Sequence, residues 1–145
     1  MLEIGTVAPD FSVYDHNGNK MSLKDFRGNK IVLWFFPKAD TPGCTIEGQG
    51  FRDQFEKFQG NGIVILGVSL DTPKENKAFA EKFGFPYPLL CDVKREISMA
   101  YHAVHGPEDK YAARITYVIG EDGKIAEAIE KVDVKNHAKD LCSRL

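Results

Sequence analysis

Little in this chain points toward a nucleic acid, a bilayer or a disulfide scaffold. With 19 basic against 21 acidic residues the net charge is −2. No block of like charge stands out, so neither a nucleic-acid nor an anionic-membrane partner is indicated. The longest apolar run, Ile31 to Phe36, is far too short to span a bilayer. The start, Met1-Leu2-Glu3-Ile4-Gly5, has neither a basic n-region nor an apolar h-region, which leads us to expect a cytoplasmic protein. Cysteine is scarce. Cys44, Cys91 and Cys142 are odd in number and unevenly spaced, a poor disulfide framework, and no Cys-x-x-Cys pair offers zinc binding or dithiol exchange. At least one thiol must be free or pair between molecules. No repeat, linker or low-complexity tract interrupts the 145 residues, so a single domain over 1–145 is expected.

What is present is a succession of apolar patterns. Phe11, Val13 and Tyr14 before Asn17-Gly18, with Met21 and Leu23 after it, read as a β-hairpin. Lys24 to Gly28 is a short connector. Ile31 to Phe36 is continuous rather than alternating, as in a central strand covered on both faces, and implies a parallel sheet. Phe51, Phe55 and Phe58 then recur at helical spacing with Arg52, Asp53, Glu56 and Lys57 turned to water, and Gly60 and Gly62 end that helix. Ile63 to Ser69 is a second buried strand. Thr72-Pro73-Lys74-Glu75 combines an N-cap, a proline at the first helical position and a capping-box glutamate, predicting a helix to Phe83 with Gly84 as its stop. Pro86 to Cys91 is extended. Asp92 is placed to cap a helix with Ile97, Ala100, Tyr101 and Val104 on its inner face, closed by Gly106-Pro107. Ile115–Ile119 and Ile125–Ile129 flank Asp122-Gly123 as a hairpin, and Val134, Ala138, Leu141 and Leu145 line a last helix. This order is that of a thioredoxin-like α/β domain, a central mixed sheet flanked by helices, with an N-terminal hairpin added.

The chemistry gathers at Phe35-Phe36-Pro37-Lys38-Ala39-Asp40-Thr41-Pro42-Gly43-Cys44. There an apolar run stops, two prolines bracket a loop and a cysteine opens a helix. A helix start presents unpaired N–H groups and the positive end of its dipole, a setting that favours a reactive thiolate. Pro42 and Gly43 fix a tight approach to the helix, and Thr41 and Thr45 place hydroxyls beside the sulfur. Right-handed crossovers put this helix start at the carboxyl end of the Ile31–Phe36 strand, where such sheets hold their sites.

Pro37-x-x-x-Thr41-x-x-Cys44, followed by Thr45-x-Glu47 and Phe51-Arg52-Asp53, resembles the active-site signature of the peroxiredoxins, most of all the bacterioferritin comigratory protein or Q-type branch. The likeness extends from Gly5-Thr6-Val7-Ala8-Pro9-Asp10-Phe11 to Arg114-Ile115-Thr116-Tyr117-Val118-Ile119. It implies a thiol-dependent peroxidase without cofactor or metal: Cys44 attacks hydrogen peroxide or an organic hydroperoxide, becomes a sulfenic acid, and is reset by a thioredoxin-like or low-molecular-weight thiol. It implies further that Arg114 lies over the sulfur, that Thr41 bonds a substrate oxygen, that Pro37 shields the pocket and that Glu47 helps orient Arg114. Monomer or weak homodimer is the expected state. Plainer roles stand beside these: Arg114 as an edge-strand gatekeeper, Thr41 as a cap, Glu47 as a first-turn acid complementing the dipole.

The chain departs from the resembled pattern at the resolving cysteine. The common position, five residues after Cys44, is Gln49, and Thr72 to Phe83 holds no cysteine. Either the enzyme uses one cysteine and an external thiol, or Cys91 or Cys142 is recruited; as residues, both read as packing. His102 and His105 lack further ligands at metal spacing and are expected to complement a helix C-terminus. Gly48 and Gly50 are expected to loosen the first turns of the Cys44 helix, so that alanine at both would stabilise it. A dithiol oxidoreductase would need a second cysteine after Cys44 and a proline near Arg114. The remaining alternative is a non-enzymatic redox-sensing or chaperone-like module.

Overall fold

The computed structural model describes residues 1–145. Five strands form the main sheet: β3 (Lys30–Phe35), β4 (Ile63–Ser69), β5 (Leu89–Cys91), β6 (Ile115–Ile119) and β7 (Ile125–Ile129) follow a small hairpin of β1 (Ser12–Tyr14) and β2 (Lys20–Ser22). The helices are α1 (Pro42–Gly60), α2 (Pro73–Phe83), α3 (Glu96–Ala100) and α4 (His137–Arg144). The Lys24–Gly28 connector is mostly a 3-10 turn over Leu23–Phe26. No helix is long and apolar enough to cross a membrane.

The sheet order is β5-β4-β3-β6-β7, which puts β3 in the middle. It pairs parallel with β4 and antiparallel with β6, so the sheet is mixed, as the order of elements leads one to expect, with parallel pairing on one side of β3. The run itself has the expected cause, because both faces of β3 are covered. Ile31, Leu33 and Phe35 enter one core with Phe11, Ile97 and Tyr101. Val32, Trp34 and Phe36 enter the other with Phe51 and Phe58 of α1, Phe79 of α2 and Leu141 of α4. Antiparallel pairing sets Phe35 opposite Ile115, so Arg114, just before β6, stands at the sheet end where β3 hands over to the Cys44 loop.

Local signals hold where they are complete. Thr72 Oγ1 accepts from the Glu75 N–H, the Glu75 carboxylate accepts from the Thr72 N–H, and Gly84 ends α2 in the left-handed region at φ 65°. Two expectations fail downstream. The Asp92 helix does not run to Gly106-Pro107: α3 stops at Ala100, and His102, at φ 59°, carries the chain out of it. Asp92 still caps it from outside, its carboxylate accepting from the Ile97 and Ser98 N–H groups. His102 and His105 therefore lie beyond the helix rather than in its last turn. Val134 likewise precedes α4, whose inner face is His137, Ala138 and Leu141.

Candidate active site

α1 begins in the sequence that predicts it. Thr41 is the N-cap in extended conformation, Pro42 takes the first helical position, where a missing N–H is harmless, and the Thr45 N–H closes the first helical bond on the Thr41 carbonyl at 2.9 Å. Cys44 thus sits in the first turn, among N–H groups that the helix cannot pair internally. The loop ahead of it is pinned from outside. The Ala39 N–H donates to Asp71 at 2.8 Å, Asp40 holds a left-handed φ of 59° with its carboxylate 3.0 Å from Lys82, and Lys38 Nζ lies over the Tyr111 ring. The Phe36 N–H makes the last sheet bond, to Val68, and half-buried Pro37, with no N–H, ends the ladder there.

Cys44 is fully buried, and Arg114 reaches it from just before β6: Nη2 is 3.5 Å from Sγ while Nη1 donates to Glu47 Oε1 at 2.8 Å. Glu47 follows Cys44 by one turn of α1, on the same face, so one helix carries both the sulfur and the carboxylate that aligns the guanidinium. Gly43 makes the approach possible. A Cβ there would stand 2.9 Å from Arg114 Nη2. Thr41, the N-cap three residues before Cys44, donates its hydroxyl to the Lys38 carbonyl at 2.7 Å.

The two partners of the ion pair feel it differently. Burial lifts the Glu47 carboxyl to about 7, against the pull of Arg114. Arg114 is raised: burial, its largest influence, lowers it, and the Glu47 carboxylate together with Cys44 outweighs that. Glu47 is 0% exposed in its side chain and Arg114 26%, so the desolvation falls on the acid and the pairing benefits the base.

Gly48 and Gly50 do not behave as a weak point in the helix. A Cβ on Gly48 would lie 2.5 Å from the Phe85 ring, which is itself stacked on Tyr87, and one on Gly50 would meet Ala138 at 3.3 Å. That geometry argues against the expectation that alanine at both positions stabilises the helix: Gly48 packs closely under Phe85, and the Tyr87 hydroxyl donates to its carbonyl at 2.7 Å. Sequence reasoning also missed His137 and Thr116, which meet behind Glu47. The available signal was a histidine one turn before Leu141, on the inner face of an amphipathic helix.

Cys91 and Cys142 are both free. Cys91 ends β5, its thiol donating to the Leu89 carbonyl and accepting from Asn76, and burial pushes it up to about 11. Cys142 is half-buried on α4 against the core that also holds Cys44. A cleft of about 340 Å³ bounded by Phe11, Val13, Cys91 and Ile97 does not include Cys44.

The AhpC/TSA family model matches residues 4–128. The chain is 36% identical to a putative peroxiredoxin bcp of Coxiella burnetii over 99% of both chains. It superposes on a cysteine-to-serine mutant of PrxQ from Xylella fastidiosa with a TM-score of 0.92 at 27% identity, covering 99% of this chain and 95% of that one. On the Xanthomonas campestris bacterioferritin comigratory protein, studied for alkyl peroxide reduction, the TM-score is 0.88 at 29% identity over 99% and 94%. With a cysteine at the head of α1, an arginine laid over it from just before β6 and these relatives along nearly its whole length, the chain belongs to the AhpC/TSA family, on its peroxiredoxin Bcp/Q branch.

Proposed function

We propose that the protein is a thiol-dependent peroxidase in which Cys44 reduces hydrogen peroxide and organic hydroperoxides. The observation that carries this is the Arg114 guanidinium 3.5 Å from Cys44 Sγ, locked by Glu47. The sulfur attacks the terminal oxygen of ROOH, the S–O bond forms as the O–O bond breaks, and RO⁻ leaves and takes up a proton, giving Cys44 sulfenic acid and ROH. Charge grows on the departing oxygen, and Arg114, the first-turn N–H groups of α1 and a Thr41 hydroxyl swung off Lys38 are the donors within reach. Substrate arrives along Arg114, the partly exposed member of a cover that otherwise hides the sulfur. Pro37, half-buried at the end of the sheet ladder, brings no N–H to compete for the thiolate.

An external thiol resets the enzyme. One equivalent displaces water from the sulfenic acid to give a mixed disulfide, and a second releases Cys44 and a disulfide of the reductant. Support for an external partner comes from Cys91, whose buried, upshifted thiol is a poor nucleophile near neutrality. Three unpaired cysteines suit the reducing cytoplasm, where we place the reaction. Stopped-flow consumption of peroxide by the reduced protein, with no partner added, tests the reading. One equivalent consumed by wild type and none by Cys44→Ser is expected, whereas a redox-sensing or chaperone-like module would leave peroxide untouched on this timescale.

A further inference from the structure

Behind the ion pair lies a second layer of buried polar groups. Glu47 Oε2 has no hydrogen-bond partner, and His137 Nε2 faces it at 4.0 Å. That same nitrogen lies 2.9 Å from Thr116 Oγ1, and both residues are buried, at 6% and 0% exposure. Thr116 follows Arg114 by two residues, so the two stand on the same side of β6. The groups close into one chain: Cys44 and Glu47 on α1, Arg114 just before β6 and Thr116 on it, His137 on α4, with the imidazole edge-on to Phe51 at 5.7 Å.

An ionised carboxylate in the interior needs donors on both oxygens, and a buried acceptor without one is costly. Arg114 serves Oε1. Oε2 has two ways to be satisfied: take up a proton, or receive an N–H. A swing of the imidazole by about 1 Å would bring Nε2 from its present place at Thr116 into hydrogen-bond range of Oε2. We propose that His137 is a positioning residue for the peroxide reaction, carrying its proton on Nε2, sharing that N–H between Thr116 Oγ1 and Glu47 Oε2, and so holding the carboxylate that aims Arg114 at Cys44. This rests on the peroxidase reading above.

The surroundings favour such a donor. Burial lowers His137 to about 4, with Arg144 adding to the effect and Asp140, Asp133 and Glu127 opposing it, so the imidazole stays neutral where Glu47 titrates. Around Glu47 the other facing groups are Arg114, His137 and the Tyr87 phenol. As pH falls through about 7, Glu47 takes up a proton and Arg114 loses its anionic anchor. Without the His137 N–H, that loss begins at higher pH. A proton on Nδ1 instead would aim a lone pair at Oε2 and undo the arrangement.

The first test uses wild type. Nitrogen-15 spectra of the reduced protein are expected to show the Nε2–H tautomer of His137, with its resonances moving as Glu47 ionises; an Nδ1–H tautomer overturns the proposal. The second uses variants. His137→Leu is expected to shift the acid limb of the peroxide rate constant upward by about one pH unit, roughly a fivefold loss at pH 7 that approaches tenfold well below it. His137→Gln, with an amide donor close to the place of Nε2, recovers most of it, and melts by circular dichroism identify any loss due to unfolding. Equal losses in folded Leu and Gln variants, or a limb that stays put, reduce His137 to a packing partner of Phe51. If wild type consumes no peroxide, the peroxidase reading fails, and the tautomer still decides the donor.

Discussion

The Arg114 guanidinium rests on the backbone of Gly43, so closely that a single added methyl group would stand 2.9 Å from Nη2 and 3.4 Å from Cζ. The glycine is the floor on which the arginine lies. A side chain there pushes the guanidinium off both Cys44 and Glu47, yet the colliding atoms are the tip of a flexible side chain and leave the backbone alone. We therefore expect Gly43→Ala to slow peroxide consumption by roughly one to two orders of magnitude, the effect of losing an aimed donor. Its melting temperature should stay near that of wild type. Equal rates in stopped-flow traces of the two proteins would mean that Arg114 acts from elsewhere.

Gly48→Ala should behave in the opposite way. Its methyl meets the Phe85 ring at 2.5 Å, and Phe85 is wedged against Phe79 and Tyr87, so the overpacking of about 1–3 kcal/mol exceeds the gain of roughly 1 kcal/mol from alanine's helix propensity. Gly50→Ala, facing only the Ala138 methyl at 3.3 Å, should come out near neutral. Urea midpoints of the two single variants separate the cases, and a stabilised Gly48→Ala would show that Phe85 can move aside.

These glycines mark the limit of what the sequence discloses. The α2 cap, the stop at Gly84 and the β6–β7 hairpin are written in neighbouring residues, and each is found where they place it. The helix-loosening reading of Gly48 fails because the atom that decides it belongs to Phe85, far along the chain, and propensity gives way to that contact. α3 is shorter than its apolar spacing suggests, since Ile97 and Tyr101 pack while the chain turns out at His102. Cys44, Glu47 and Arg114 were legible through a shared motif, whereas His137 and Thr116 carry no motif and meet only in the folded protein.

Stability should depend on pH through the same buried pair. Glu47 is raised from 4.5 to about 7, so its contribution is present below 4.5 and lost as pH rises through about 7. His137 is lowered from 6.5 to about 4, so its contribution is present above 6.5 and lost as pH falls through about 4. Each is on the order of 3 kcal/mol, and between about 4.5 and 6.5 the two slopes oppose each other. Glu47→Gln removes the falling slope, so the variant should gain stability steadily from about pH 4 to 6.5 where wild type is nearly flat. Denaturant midpoints across that range check it, and parallel curves for the two proteins would rule it out.

Cys91→Ser and Cys142→Ser should each leave the oxidative step intact, since neither sulfur is within the Arg114 and Glu47 arrangement. Mass spectrometry after one equivalent of peroxide is expected to find a single added oxygen on Cys44 and no internal disulfide. A loss of two hydrogens linking Cys44 to Cys142 or Cys91 would make that residue the resolving thiol.

The antiparallel pairing of Phe35 with Ile115 also sets an order of events during synthesis. Cys44 leaves the ribosome 70 residues before Arg114, and α4 follows later still. A growing chain therefore carries its nucleophile over a stretch of 70 residues without the guanidinium that aims it at peroxide. The arrangement of Cys44, Glu47 and Arg114 is assembled only when β6 pairs with β3, so a chain that ends short of β6 holds the cysteine and not its aiming cation.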